Sequence, residues 1–213
     1  MTITQSFFWT PNSSGAVPQL TENLLKTRDA MRSSGYTCDT ISLLPGGGGV
    51  QGTTGLINNY SDADAYVEAM DSPPSEDFIA VQQSLKYSDS APSRTTTMME
   101  VLGTETAYSE LPKGIVQISS IVPTQGKEGE AIKSFIKSKE ILNGLGIKVR
   151  VSRTFLGEPA DMFIFAMFHE SAAAWRDANM RIQADGQWQD HWASLGKANN
   201  SKIIRVSAFS FLP

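Results

Sequence analysis

The chain has 213 residues, 40% of them hydrophobic, with a formal net charge of -4 and an isoelectric point near 5.2. That length allows one sizeable core or two units of about 100 residues, and the acidic balance argues against a nucleic-acid partner, which selects for a basic surface. The single cysteine, Cys38, excludes an internal disulfide, a cysteine-built zinc site and an iron–sulfur cluster held by the chain's own thiolates, and it fits a reducing compartment.

Met1 to Trp9 lacks the basic start and long apolar run of a signal peptide. The longest intense apolar run, Met162 to Phe168, is too short to span a bilayer as a helix. The expectation is a cytoplasmic protein with no membrane partner. Ile3 to Trp9 is aromatic and β-branched and predicts a strand. After the turn cluster Pro11 to Gly15, Leu20, Leu24 and Met31 recur at helical spacing, and Gly35 is placed to end that helix. Tyr36 to Leu44 and Val50 to Tyr60 read as strands joined by a flexible glycine loop at Gly46 to Gly49. That loop is not a phosphate cradle: no Lys-Ser or Lys-Thr follows it, and a strand rather than a helix comes next. Ser61 and Asp64 predict a capping-box start to a second helix, broken by Pro73-Pro74 and resumed by Phe78, Val81 and Leu85. A strand from about Arg94 to Leu102 closes this series.

The series then recurs. Gly114 to Val122 predicts a strand, and Ala131 to Leu142 a helix. Ile147 to Leu156 and Asp161 to His169 are strands around a turn at Gly157-Glu158-Pro159. Ser171 to Ile182 and Trp188 to Leu195 are helical, and Lys202 to Leu212 is the last strand. Landmarks repeat at near-constant displacement: Gly15 with Gly126, Leu24-Leu25 with Phe135-Ile136, Gly35 with Gly146, Tyr66 with Trp175 and Leu85 with Leu195. The order β-α-β-β-α-β, given twice, predicts tandem ferredoxin-like modules at 1–106 and 112–213. Met162, Ile164, Ala166 and Phe168 alternate with Phe163, Phe165 and Met167, so that strand is apolar on both faces and must be covered on both. The natural cover is the other module's sheet. The fold class is therefore α+β: two antiparallel sheets packed as an intramolecular α+β barrel.

This element order, with the aromatic-rich stretch Ala172-Ala173-Ala174-Trp175, Trp188 and Trp192, resembles the dimeric α+β barrel superfamily. That superfamily includes antibiotic-biosynthesis monooxygenase-like, NIPSNAP-like and EthD-like proteins. The resemblance covers the whole chain as a fused pair of modules, and it implies either a monomer with an internal pseudo-dimer or a homodimer. Its members include oxygenases, isomerases, haem-handling enzymes and proteins without activity, so fold does not fix function. No catalytic signature of the superfamily is matched.

Two histidines bound the acid–base chemistry. His191 lies on the stripe Trp188, His191, Trp192, Leu195 and corresponds to Val81. It reads either as a partly desolvated acid, base or haem ligand in an aromatic pocket, or as a helix-face histidine packed beside tryptophan. His169 terminates a strand and belongs to its turn. The neighbouring Asp190 faces a different side of the helix from His191, so no metal site is expected. In the strands, Gln117 with Ser119, Arg150 with Ser152 and Thr154, and Arg205 with Ser207 form polar rows. If these rows point between the sheets, they line a partly polar cavity, and a buried Arg150 needs a carboxylate from Asp39, Glu100 or an acidic ligand.

The candidate site residues are thus His191 for catalysis and Trp175, Trp188, Trp192, Arg150, Arg205 and Gln117 for binding. The leading reading is a small-molecule-handling protein with a pocket between sheet and helices, in the manner of a cofactor-independent monooxygenase or isomerase. The alternatives are a haem-binding or haem-degrading protein, or a non-catalytic scaffold whose barrel is filled. The leading reading requires no cofactor, and only the second requires haem.

Overall fold

The computed structural model describes residues 2–86, 93–103, 106–157 and 161–213. The expected turn residues Glu158 and Pro159 lie outside the described residues, as do residues 104–105 of the connection between the two series. Eight strands form one closed antiparallel barrel. They are β1 (Ile3–Thr10), β2 (Thr37–Leu43), β3 (Thr54–Tyr60), β4 (Ser93–Val101), β5 (Ile115–Pro123), β6 (Lys148–Gly157), β7 (Phe163–His169) and β8 (Ser201–Phe211). The helices are α1 (Val17–Ser33), α2 (Ala63–Asp71), α3 (Glu76–Lys86), α4 (Glu128–Gly144), α5 (Ala172–Ala184) and α6 (Gly186–Ala198).

Around the ring the order is β1-β3-β2-β8-β5-β7-β6-β4. The N-terminal strands thus run β4-β1-β3-β2 and the C-terminal strands β8-β5-β7-β6, the same order twice. Beyond facing each other, the two sheets join at both edges. Leu43 pairs with Phe209 and Ile41 with Phe211 on one side, and Val101 pairs with Ser152 and Glu100 with Arg153 on the other. The seams are short: β2 pairs with β8 over Ile41–Leu43, and β4 with β6 over Thr97–Val101.

Strand alternation sorts the apolar residues into two layers. From β7, Phe163, Phe165 and Met167 face the helices and join Phe135, Leu142 and Ala178 in a buried cluster. Ile164, Ala166 and Phe168 face the barrel interior. The doubly apolar strand is covered on one side by helices and on the other by the opposite sheet. In the N-terminal half the outer layer is Trp9, Leu20, Leu24, Met31, Cys38 and Leu56. Burial pushes the Cys38 thiol up to about 12, leaving it inert at neutral pH.

Two local expectations change. The cap of α2 is Asp62 rather than Ser61, its carboxylate accepting from the Ala65 N–H at 2.8 Å. The glycine loop is pinned, not flexible: the Leu44 N–H donates to the Ala208 carbonyl, the Ala208 N–H to the Gly47 carbonyl, and the Ser207 hydroxyl to the Gly48 carbonyl. Gly48 has φ +77°, and a Cβ there would collide with the Val206 carbonyl oxygen. Only glycine allows the loop backbone to lie against β8.

Candidate functional site

Two cavities flank the N-terminal sheet. The outer one, about 330 Å3, lies between β1 and β3 and the helices α1 to α3. Phe7, Trp9, Leu56, Tyr36 and Phe78 give it an aromatic wall, and the Ser72 to Ser75 connection between α2 and α3 forms its rim. Pro73 and Pro74 cannot continue α2, so the chain turns here and leaves a mouth. Tyr36 is fixed by donating its hydroxyl to the Ala69 carbonyl at 2.8 Å.

The floor of this pocket is polar. Asn58 is 2% exposed, and Gln5 beside it is also buried. The Tyr60 hydroxyl donates to Gln5 Oε1 at 3.3 Å and accepts from Asn58 Nδ2 at 3.5 Å. Burial raises Tyr60 to about 12, so it remains a neutral phenol. Asn58 Oδ1 is buried with no hydrogen-bond partner. A buried carbonyl oxygen without a donor costs about 1–3 kcal/mol, and such groups call for an explanation. Asn58 is itself one of the residues that line the cavity.

The same region of the C-terminal half is filled. Strand register equates Gln117 with Gln5 and Met167 with Asn58, since Gln5 pairs with Asn58 across β1–β3 and Gln117 with Met167 across β5–β7. Met167, buried in the apolar cluster of that half, stands at the position that Asn58 has in the N-terminal half. Trp175 swings in and donates its Nε1–H to Gln117 Oε1 at 2.8 Å. Trp188 packs on the cluster of Phe135, Phe163 and Phe165.

The structure brings Trp188, His191 and Trp192 together on α6. Trp188 stacks on Trp192, which is half exposed, with ring centroids 5.8 Å apart. His191 is 5% exposed and sits between α6 and α4, with Nε2 2.8 Å from the Ser138 hydroxyl. Burial, then the charge of Lys137, lowers its pKa. It lines neither cavity. The geometry is that of a helix-to-helix tie. Gln117 and Ser119 face the helices, because Val116, Ile118 and Ser120 are the residues of β5 that face inward. Arg150 and Arg205 do face the interior. Asp39 binds Arg32 at 2.6 Å and Lys113 at 2.7 Å, while Arg150 donates to Asn59 Oδ1 at 2.9 Å and to the Thr106 carbonyl at 3.2 Å.

No protein-family model matches the chain, and no curated protein sequence does. Solved structures do. A proposed monooxygenase from Fusobacterium nucleatum superposes with a TM-score of 0.64 at 7% identity, over 99% of this chain and 93% of that one. An anthrone oxidase-like protein gives 0.63 at 14% identity, over 100% and 92%. A haem-binding protein from Thermus thermophilus gives 0.51 at 11% identity, over 100% and 91%. This is the dimeric α+β barrel fold, completed within one chain.

Haem occurs among these likenesses, so the fit of these residues to haem matters. A haem needs an axial donor at the wall of an apolar slot. His191 has Nε2 engaged with Ser138, His169 is buried at the end of β7, and neither lines the outer pocket or the interior cavity. Tyr36, which does line the outer pocket, has its hydroxyl committed to Ala69. Neither histidine is therefore placed to ligate a haem in either cavity. Among the described residues no group of three or more His, Cys, Asp or Glu is placed to hold a metal ion, and no helix is long and apolar enough to cross a membrane.

Proposed function

We propose that the protein binds a small hydroxylated aromatic molecule in the outer pocket, its ring against Trp9, Tyr36 and Phe78 and its hydroxyl donating to Asn58 Oδ1. The observation that carries this reading is the unpartnered Asn58 carbonyl at the floor of an aromatic cavity. The pocket has the volume of about ten water molecules, which suits a fused two-ring compound. Its described lining includes no carboxylate, histidine, lysine or cysteine. Reactions that need a strong protein base are therefore poorly served. Cofactor-independent oxidation of a phenol or enol by dioxygen needs no protein base when the hydroxyl proton passes to water, the neutral amides of Gln5 and Asn58 only orienting the ligand. The proposed monooxygenase and the anthrone oxidase-like protein of the same fold agree with that class.

Calorimetric titration with 2-naphthol tests the reading. Binding should be one to one, and 2-methoxynaphthalene, which lacks the donor, should bind about fivefold more weakly for the loss of one hydrogen bond. Equal affinity for both, or no binding of either, rejects it.

A further inference from the structure

The barrel interior holds a second cavity of about 290 Å3, separated from the outer pocket by the sheet itself. Adjacent residues of β3 serve the two spaces. Asn58 faces outward and Asn59 inward, as strand alternation requires. The wall is mostly apolar, with Phe8, Ile57, Val116, Ile164 and Phe168 prominent. The filled barrel that a pure scaffold would show is not what the structure has.

One end of this cavity is a built polar site. Asn59 Oδ1 accepts from two donors, the Thr4 hydroxyl at 2.9 Å and Arg150 Nη1 at 2.9 Å. That fixes the amide's orientation and leaves Nδ2 as the unengaged donor of a residue that lines the space. Asn59 is 9% exposed, and its Nδ2 has no partner. The Arg150 guanidinium lies 5.2 Å from the Tyr108 ring, which holds it in place. At the other end Val50 lines the cavity yet is 60% exposed, so the cavity reaches solvent there. Arg205 stands at that mouth, its Nε bonded to the Gly48 carbonyl and the Ser207 hydroxyl.

We propose that the barrel interior is a second binding site, for a compact aliphatic carboxylate whose head accepts from Asn59 Nδ2 beside Arg150 and whose chain runs along the apolar wall toward Arg205. An orphaned N–H donor demands an acceptor. Two guanidinium groups lining one cavity favour a charged acceptor over a neutral one. A volume near ten waters limits the chain to about eight carbons. This site does not depend on the outer pocket being a ligand site.

The test is titration of the full chain with sodium octanoate and, separately, 1-octanol. Octanoate should bind one to one, and octanol at least about tenfold more weakly, because it cannot exploit a charge-assisted bond. Asn59→Leu should weaken octanoate about tenfold, and Ala166→Phe, which fills the cavity opposite Arg150, should abolish binding. For wild type, magnetisation transfer from carbon-13-labelled octanoate to the Val116 and Ala166 methyl groups locates the ligand without relying on a variant that folds. No octanoate binding, equal affinity for octanol, or transfer only to residues outside the barrel overturns the proposal. A 2-naphthol titration on the same protein keeps the two sites distinguishable: octanoate should not displace it.

Discussion

Replacing Asn58 with methionine should stabilise the protein and abolish outer-pocket binding together. The substitution copies the C-terminal half, where Met167 stands at the corresponding place and is buried. Removing a buried acceptor that has no donor relieves about 1–3 kcal/mol. Filling existing space with a methionine side chain contributes about 1.5–3 kcal/mol. Against this stand the loss of the long 3.5 Å contact from Asn58 Nδ2 to Tyr60, worth under about 1 kcal/mol, and some repacking strain. The net expectation is about 2 kcal/mol of added stability, or a melting temperature about 4–8 °C higher for a chain of this size. Urea and thermal unfolding measure the first effect. For the second, saturating 2-naphthol should raise the wild-type melting temperature and leave Asn58→Met unchanged. A variant less stable than wild type, with ligand-dependent stabilisation intact, would show that the space is not open and that Asn58 is not the floor of a ligand site.

Three further outcomes follow from the same geometry. Burial, then the charge of Arg181, lowers His169 to about 4. Because the fold favours the neutral ring, its contribution is present above the ordinary pKa near 6.5 and is lost as pH falls toward 4, by at most about 3 kcal/mol; in acid titrations of unfolding, His169→Gln should have the flatter limb over that window, and an identical limb would contradict the assignment. His191→Ala should cost about 2–3 kcal/mol through the lost Ser138 bond and the cavity it opens, while 2-naphthol affinity stays unchanged and haem titration gives no histidine-dependent Soret shift; a Soret band that disappears in His191→Ala would restore the haem reading. Gly48→Ala should destabilise by more than about 1 kcal/mol and loosen the loop from β8, seen as faster amide exchange at Ala208, and unchanged exchange there would refute the pinning.

Much of the architecture is legible in the sequence because it rests on local signals. The two-faced apolar run Met162 to Phe168 demands cover on both sides, and Gly35 and Gly146 adopt the left-handed conformation expected past a helix end. Which strands pair to seal the barrel is not legible. Ile41 to Leu43 and Phe209 to Phe211 read simply as apolar strand, and nothing local distinguishes an edge that pairs across modules. The polar rows are visible, but their inward or outward phase is a matter of one residue, and it sends Gln117 to the helices and Arg150 to the interior. The outer pocket escapes a search for titratable groups, because its key atom belongs to a neutral amide. The signal is present in β3: two adjacent asparagines, Asn58 and Asn59, inside a strand otherwise bounded by Leu56, Ile57 and Tyr60. Consecutive amides in a strand buried on both faces must meet two different interiors, and each here carries one unpartnered atom. His191 stands out for its aromatic neighbours, yet the partner that defines its role, Ser138, lies 53 residues away on α4.

The most direct measurement is a crystal structure of the wild-type chain grown with 2-naphthol. The ring should lie between Trp9, Tyr36 and Phe78, with the hydroxyl oxygen about 2.7–2.8 Å from Asn58 Oδ1. Density confined to the barrel interior or the surface, or an outer pocket collapsed onto its own side chains, would contradict the account.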